Sequence, residues 1–268
     1  MISSFSAVAT EEVRREAAVM AFSVRQFYDS PIFFVCDEGT REYLSRLDIP
    51  HLEFSTLAEP ENLSHVREEY ANVAIANEFH RIDCIALKMD CLNWATKEAG
   101  DTMFVDTDII INQPIHDDIG GEITLSPHFN YVDKVGNYKR YGVFNAGYLW
   151  TNQREAGDIW KDIYLNRSSF FEQQGMIYFL EYYDTKNFDI THNVGFWRMP
   201  LIASATQRMA TLDESVIDWE SVKSFHVHTF PECFVKADFG LKRVYNQHRE
   251  ICMAKLNNDL SDFIKRLP

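Results

Sequence analysis

The sequence predicts an α/β protein: a mixed, mostly parallel sheet flanked by helices, with an amphipathic helix at its C-terminal end. Three observations lead there. Short apolar runs alternate with stretches of helical spacing through the first half of the chain, the order that yields parallel strands covered on both faces. The longest strongly apolar runs, such as Pro31 to Cys36, are strand-sized and far short of the roughly 18 to 20 residues that span a bilayer. A chain of 268 residues with 46% hydrophobic side chains can bury one sizeable core, which argues against extensive disorder.

Ile2 to Val8 reads as the first strand. Thr10 then caps a helix whose apolar residues Val13, Ala17, Met20, Ala21, Val24 and Phe27 recur at helical spacing. Ile32 to Val35 is the second strand and stops at Asp37-Glu38-Gly39; a short helix covers Thr40 to Leu47, and His51 to Phe54 is extended. Arg81 to Ala99 carries a long helical pattern leading into a buried strand, Thr102 to Val105. Past about residue 120 the alternation loosens: strand-like pieces at Ile123 to Leu125, Val143 to Trp150 and Phe225 to Val227 are separated by helices over Glu155 to Tyr164 and Gln173 to Tyr182. No internal repeat or linker interrupts the pattern, so residues 1–240 read as one domain, with halves at about 1–115 and 116–240. The tail, 241–268, carries Leu241, Val244, Tyr245, Ile251, Cys252, Leu256, Leu260, Phe263 and Ile264 on one broad stripe, the pattern of a helix packed on the body.

The charge balance narrows the function. With 26 basic and 40 acidic side chains the net charge is −14, and no basic cluster of more than a few residues interrupts it. A nucleic-acid binder needs a Lys/Arg surface to displace phosphate counterions, so that class is set aside. A small phosphorylated ligand is still admissible, because an acidic protein can grip one through a divalent metal. The N-terminus lacks the basic then apolar layout of a signal peptide, and the five cysteines (Cys36, Cys84, Cys91, Cys233, Cys252) form an odd set without a CxxC pair. Cytoplasmic residence is the expectation, with the cysteines as small buried hydrophobes.

The sharpest chemical feature is the stretch from Asp101 to Ile111, where a buried strand runs straight into Asp106 and Asp108. At i and i+2 on an extended backbone the two carboxylates point the same way. Two like charges held together repel unless a cation neutralises them, and a hard, oxygen-ligated divalent ion could also hold a diphosphate. The plain alternative is a solvated strand end that happens to be acidic.

Several segments, taken in order, resemble a known family: Lys88-Met89-Asp90-Cys91-Leu92-Asn93-Trp94, then Phe104-Val105-Asp106-Thr107-Asp108, then Phe144-Asn145-Ala146-Gly147, then Glu172-Gln173-Gln174-Gly175, then His226-Val227-His228. The series is similar to that of GT-A-fold glycosyltransferases, in particular the family-eight group that includes glycogenin and the lipopolysaccharide galactosyltransferases. The resemblance implies a GT-A-type fold, with a nucleotide-binding half at 1–115 and an acceptor and metal-completing half at 116–240. It implies transfer of a sugar, with retention, from a nucleotide-sugar donor, UDP-sugar favoured, to a hydroxyl of a glycan, lipid-linked sugar or protein. Peripheral contact with a membrane is compatible with it, and Mn²⁺ or Mg²⁺ is the implied cofactor.

The resemblance also assigns roles. Asp106 and Asp108 would hold the metal, Asp106 touching the donor as well, with a histidine as third ligand. His226 and His228 both qualify; His228, at the far end of the strand, is favoured. Ser6, Lys88 and Lys236 join Asp106 as donor-binding candidates. Asn145, Glu172 and Gln173 are candidates beside the reacting sugar, with either Glu172-Gln173 or Gln173-Gln174 matching the family's Asp-Gln pair. The glycine and Lys-Pro-Trp that follow the family's histidine are replaced here by Thr229-Phe230-Pro231-Glu232-Cys233. Phe5, Tyr28, Phe79 and Tyr131 are conceivable stacking partners for the base.

Two rivals accompany this reading. A GT-A-like protein that binds a nucleotide sugar without turnover is motivated by the altered segment after His228. A haloacid dehalogenase-like phosphatase also opens with Asp-x-Asp after an apolar strand, but near its N-terminus, and Asp117-Asp118 follows too soon to close such a site.

Overall fold

The computed structural model describes residues 2–56, 79–128, 142–168, 172–198, 218–230 and 239–268. β1 (Phe5–Ala9), α1 (Arg14–Arg25), β2 (Ile32–Cys36), α2 (Glu38–Ser45) and β3 (Leu52–Thr56) form two successive strand–helix–strand units, with a 3-10 turn (Glu11–Val13) leading into α1. Such crossovers force the strands parallel, and β1 pairs in parallel with β2, as β2 does with β3. Next come α3 (Phe79–Ala99), β4 (Thr102–Val105), β5 (Ile109–Ile111), β6 (Ile123–Pro127) and β7 (Phe144–Thr151). α4 (Ala156–Arg167), a 3-10 helix (Glu172–Tyr178), α5 (Phe179–Tyr182), β8 (Thr185–Asn187), β9 (Val194–Gly195), β10 (Ser224–His226), α6 (Phe239–Lys255) and α7 (Asn258–Arg266) complete the order.

The main sheet has seven strands in the order β3-β2-β1-β4-β7-β6-β8. β7 alone runs against its neighbours, antiparallel to both β4 and β6, so the sheet is mixed and mostly parallel. Successive side chains of a strand face opposite sides, and here each side has its own core. Met103, Val105, Tyr148 and Trp150 join the cluster under α1, whereas Phe104 and Leu149 join Met89, Leu92 and Trp160 under α3 and α4. Trp160, wholly buried, meets the Phe104 ring edge-on at 6.4 Å and donates its indole N–H to the Glu172 carbonyl at 3.2 Å, which ties the 3-10 turn to the core. A second, three-stranded sheet, β5-β10-β9, continues from β4 after a turn.

Several boundaries differ from the sequence reading for identifiable reasons. α2 starts at Glu38, two residues early, because the Asp37 carboxylate accepts from the Thr40 N–H at 2.8 Å and caps the helix there. Thr10 makes no side-chain cap. The single tail helix is two: Asn257 accepts from Leu260 N at 2.9 Å and starts α7 afresh, and α7 then lies on α1 with Phe263 stacked on Phe22 at 4.0 Å. Phe5 and Tyr28 are core residues packed on each other at 5.0 Å, so neither has a face for a base; of Phe79 and Tyr131, no side chain lies within the described residues. Among the described residues no helix is long and apolar enough to cross a membrane.

Candidate functional site

Asp106 and Asp108 lie on a tight turn between the two sheets rather than on an extended strand: Ile109 N donates to the Asp106 carbonyl at 3.0 Å. The backbone N–H of Asp106 donates to Gly147 O of β7 at 2.8 Å, and the carbonyl of Asp108 accepts from Val227 N just past β10 at 2.7 Å. The turn brings together what the strand geometry was expected to align. Side-chain ligand atoms of Asp106, Asp108 and His226 all lie within 4.8 Å of one another.

Gly147 makes room for this. A Cβ there would stand 2.3 Å from Asp106 Oδ2, so only glycine lets the carboxylate lie against β7. Asn145, two residues earlier, accepts from Gly147 N through Oδ1 at 2.9 Å and holds the same stretch of strand in shape.

On one side of the turn, Lys88 of α3 reaches Asp106 at 2.9 Å and Glu172 at 3.4 Å. Burial alone would depress the Lys88 ammonium, but the Asp106 and Glu172 carboxylates override it and hold its pKa above the ordinary lysine range. On the other side, His226 Nε2 is 3.1 Å from Asp108 Oδ2 and its Nδ1 is 2.8 Å from Asn193 Oδ1. His228 turns elsewhere: its Nδ1 meets both oxygens of the buried Glu16 at 2.9 and 3.0 Å and stands 3.5 Å from Asp108. Burial would lower His228, yet Asp108 and Glu16 raise it to about 9. Burial likewise opposes charge on Asp108, but His226 and His228 pull its carboxyl below the usual carboxylate range.

Two carboxylates and one imidazole at this separation suit a divalent cation that accepts oxygen and nitrogen ligands. The described residues thus supply a donor set that fits the metal implied by the sequence.

The seven-stranded sheet with β7 reversed, and the acidic turn after β4, make the fold that of the GT-A glycosyltransferases. Solved structures of that fold similar to this chain include the galactosyltransferase LgtC in complex with donor and acceptor sugar analogues, at TM-score 0.57 and 14% identity, covering 92% of this chain and 95% of that one. An active-site mutant of LgtC gives TM-score 0.56 at 12% identity over 94% of this chain and 95% of that one. The bifunctional glycosyltransferase WbbM gives TM-score 0.55 at 10% identity; the match takes in 99% of this chain but only 51% of WbbM. No family model matches the sequence, and no curated protein matches it either.

The remaining candidates fall in distinct places. Ser6 is wholly buried in β1, where its hydroxyl accepts from Thr102 at 3.3 Å inside the sheet. Glu172 is buried beside Lys88, and Gln173 follows it on the 3-10 turn. Lys236 lies outside the described residues. Sequence reasoning missed four residues that surround the histidines: Glu16, Asn193, Trp197 and Tyr245. Trp197 sets its ring edge-on to His226 at 4.8 Å, and Tyr245 stacks on His228 at 5.6 Å while its hydroxyl accepts from His228 N at 3.2 Å. One signal was available: Glu16 stands at helical spacing from Val13, Val19 and Met20, a carboxylate in the apolar stripe of α1.

Proposed function

We propose that the protein is a metal-dependent, hexosyltransferase-like glycosyltransferase that moves a sugar from a nucleotide-sugar donor, UDP-sugar in the first instance, to a hydroxyl of a glycan, lipid-linked sugar or protein. The observation that carries this reading is the convergence of Asp106, Asp108 and His226 within 4.8 Å, flanked by the Lys88–Glu172 pair. Bound Mn²⁺ or Mg²⁺ would supply Lewis-acid neutralisation of the donor diphosphate. His226 is the imidazole ligand in this scheme, with His228 held by Glu16 beside it.

The chain's own groups do the rest. Lys88 adds a fixed positive charge from the α3 side, preorganised by Asp106 and Glu172 rather than recruited from solvent. Asn145, with Oδ1 committed to Gly147, has its amide Nδ2 to donate to the donor sugar. Glu172 and Gln173 line the approach to the anomeric carbon and fix the sugar for attack. The acceptor oxygen bonds to the anomeric carbon as the bond to the diphosphate oxygen breaks, and the acceptor's proton goes to that departing oxygen. Retention follows when both events occur on one face of the ring. The buried free thiols of Cys36, Cys91 and Cys252 support a reducing, cytoplasmic setting for this reaction.

Purified protein with Mn²⁺ and a panel of nucleotide sugars tests the proposal. Free nucleoside diphosphate should appear with the correct donor and disappear in Asp108→Asn. Release that persists in Asp108→Asn sinks the metal role. Nucleotide-sugar binding without release would mark a binding protein, and phosphomonoester cleavage without any sugar nucleotide would mark a phosphatase.

A further inference from the structure

Asn193 is wholly buried and adopts φ 54°, a left-handed conformation that asparagine tolerates better than other residues with a Cβ. Three hydrogen bonds define it. Its N–H donates to the Ser224 hydroxyl at 2.7 Å, its Nδ2 donates to the Ser126 hydroxyl at 2.9 Å, and its Oδ1 accepts from His226 Nδ1 at 2.8 Å. Both serines are themselves wholly buried. Ser126 sits where the β6–β7 register shifts, and that irregularity lies opposite Asn145. The amide is therefore clamped from β6 of the large sheet and β10 of the small one.

An amide oxygen only accepts, so the ring proton of a neutral His226 sits on Nδ1. Its Nε2 lone pair then faces Asp108 Oδ2 at 3.1 Å. Two acceptors that close repel each other unless a proton or a metal cation lies between them; with a metal cation there, the pair is an imidazole ligand beside a carboxylate ligand. Trp197, edge-on at 4.8 Å, adds a wall that fixes the ring plane.

We propose that Asn193 is a positioning residue: clamped by Ser126 and Ser224, it selects the Nδ1–H tautomer of His226 and so presents Nε2 to the metal. The inference rests on the metal reading of the site. Outer-sphere partners of this kind typically carry about 10- to 100-fold of metal affinity.

The test is Mn²⁺ binding by calorimetry without nucleotide, paired with nitrogen-15 NMR of the histidine rings. Asn193→Gly keeps the backbone conformation and deletes the amide; it should weaken Mn²⁺ binding about 10- to 100-fold and shift neutral His226 toward the Nε2–H form. Asn193→Asp, which restores an acceptor, should recover most of the affinity. Ser126→Ala, which frees the amide to turn, should give the same signature at smaller size and serves if Asn193→Gly does not fold. Wild-type affinity in Asn193→Gly while Asp108→Asn has lost binding overturns this proposal alone, as does an Nδ1–H tautomer that survives without Asn193. Wild-type Mn²⁺ affinity in Asp108→Asn overturns the metal reading and this inference with it.

Discussion

His228, partly buried, and His192, wholly buried, each have a carboxylate within reach, yet they go opposite ways. His228 faces Glu16 at 2.9 Å and Asp108 at 3.5 Å, and although burial opposes its charge these two carboxylates raise its pKa to about 9. His192 has Asp118 at 3.3 Å, but Lys223 already neutralises that carboxylate; burial wins and the imidazole drops to about 4. His248, wholly buried against the Val194 carbonyl at 3.1 Å, drops to about 4 from burial above all. A buried histidine takes its charge from the net charge of its surroundings rather than from the nearest carboxylate. One region of this molecule leaves carboxylate charge for its histidine, and the other spends it on Lys223.

Removing Asp108 attacks the first region at its centre. Asp108→Asn should reduce Mn²⁺ affinity and donor turnover by more than the roughly 100-fold that an outer partner carries, read by calorimetry and nucleotide release. Next is Glu16→Ala, which strips the partner from His228 inside the core. Breaking a buried pair costs about 3 kcal/mol, so thermal unfolding in metal-free buffer should drop clearly, and the His228 pKa should fall from about 9 in an NMR titration. Unchanged stability in Glu16→Ala would remove the basis of the contrast.

The pH profile sharpens it further. A folded pKa raised above the unfolded value of 6.5 gives His228 a contribution that is complete below pH 6.5 and is lost as pH climbs through about 9. Depressed values make His192 and His248 work the other way: their contribution is complete above pH 6.5 and is lost as pH falls toward 4. Each changes stability by at most about 1.4 kcal/mol per pH unit. Urea unfolding of metal-free protein should therefore peak near pH 6.5, and His248→Gln should flatten only the acid limb. The smallest effect belongs to His116, exposed beside Asp117 at 3.6 Å. His116→Ala should change stability by less than about 1 kcal/mol, measured in the same urea series.

Much of this was legible in the sequence, and the reasons are local. β4 was read at its true ends, Thr102 and Val105, because a run of strand-favouring residues lies between Gly100-Asp101 and Asp106. The acidic turn was found because two aspartates interrupt an otherwise buried stretch; that it is a turn depends on β4 and β5 belonging to different sheets. The ring partners of the histidines were illegible because they come from afar: Asn193 is 33 positions from His226 and Glu16 is 212 from His228. Nothing around Asn193 announces its contact, and the carboxylate of Glu16 in the apolar stripe of α1 marks a buried charge without naming its partner, since only the tertiary packing creates both contacts. Two of the aromatic candidates, Phe5 and Tyr28, failed for the opposite reason. Flat rings are abundant in the chain, and among the described residues most of them, Phe5 and Tyr28 included, are spent on the core.

The turn from Asp106 to Asp108 has its first residue anchored to β7 and its last to the strand end after β10. The distance between the two carboxylates is thus a gauge of how the large sheet sits against the small one. A shift of an ångström there would spoil the ligand geometry. On heating, ion release should therefore precede loss of secondary structure, so that the protein falls silent before it unfolds.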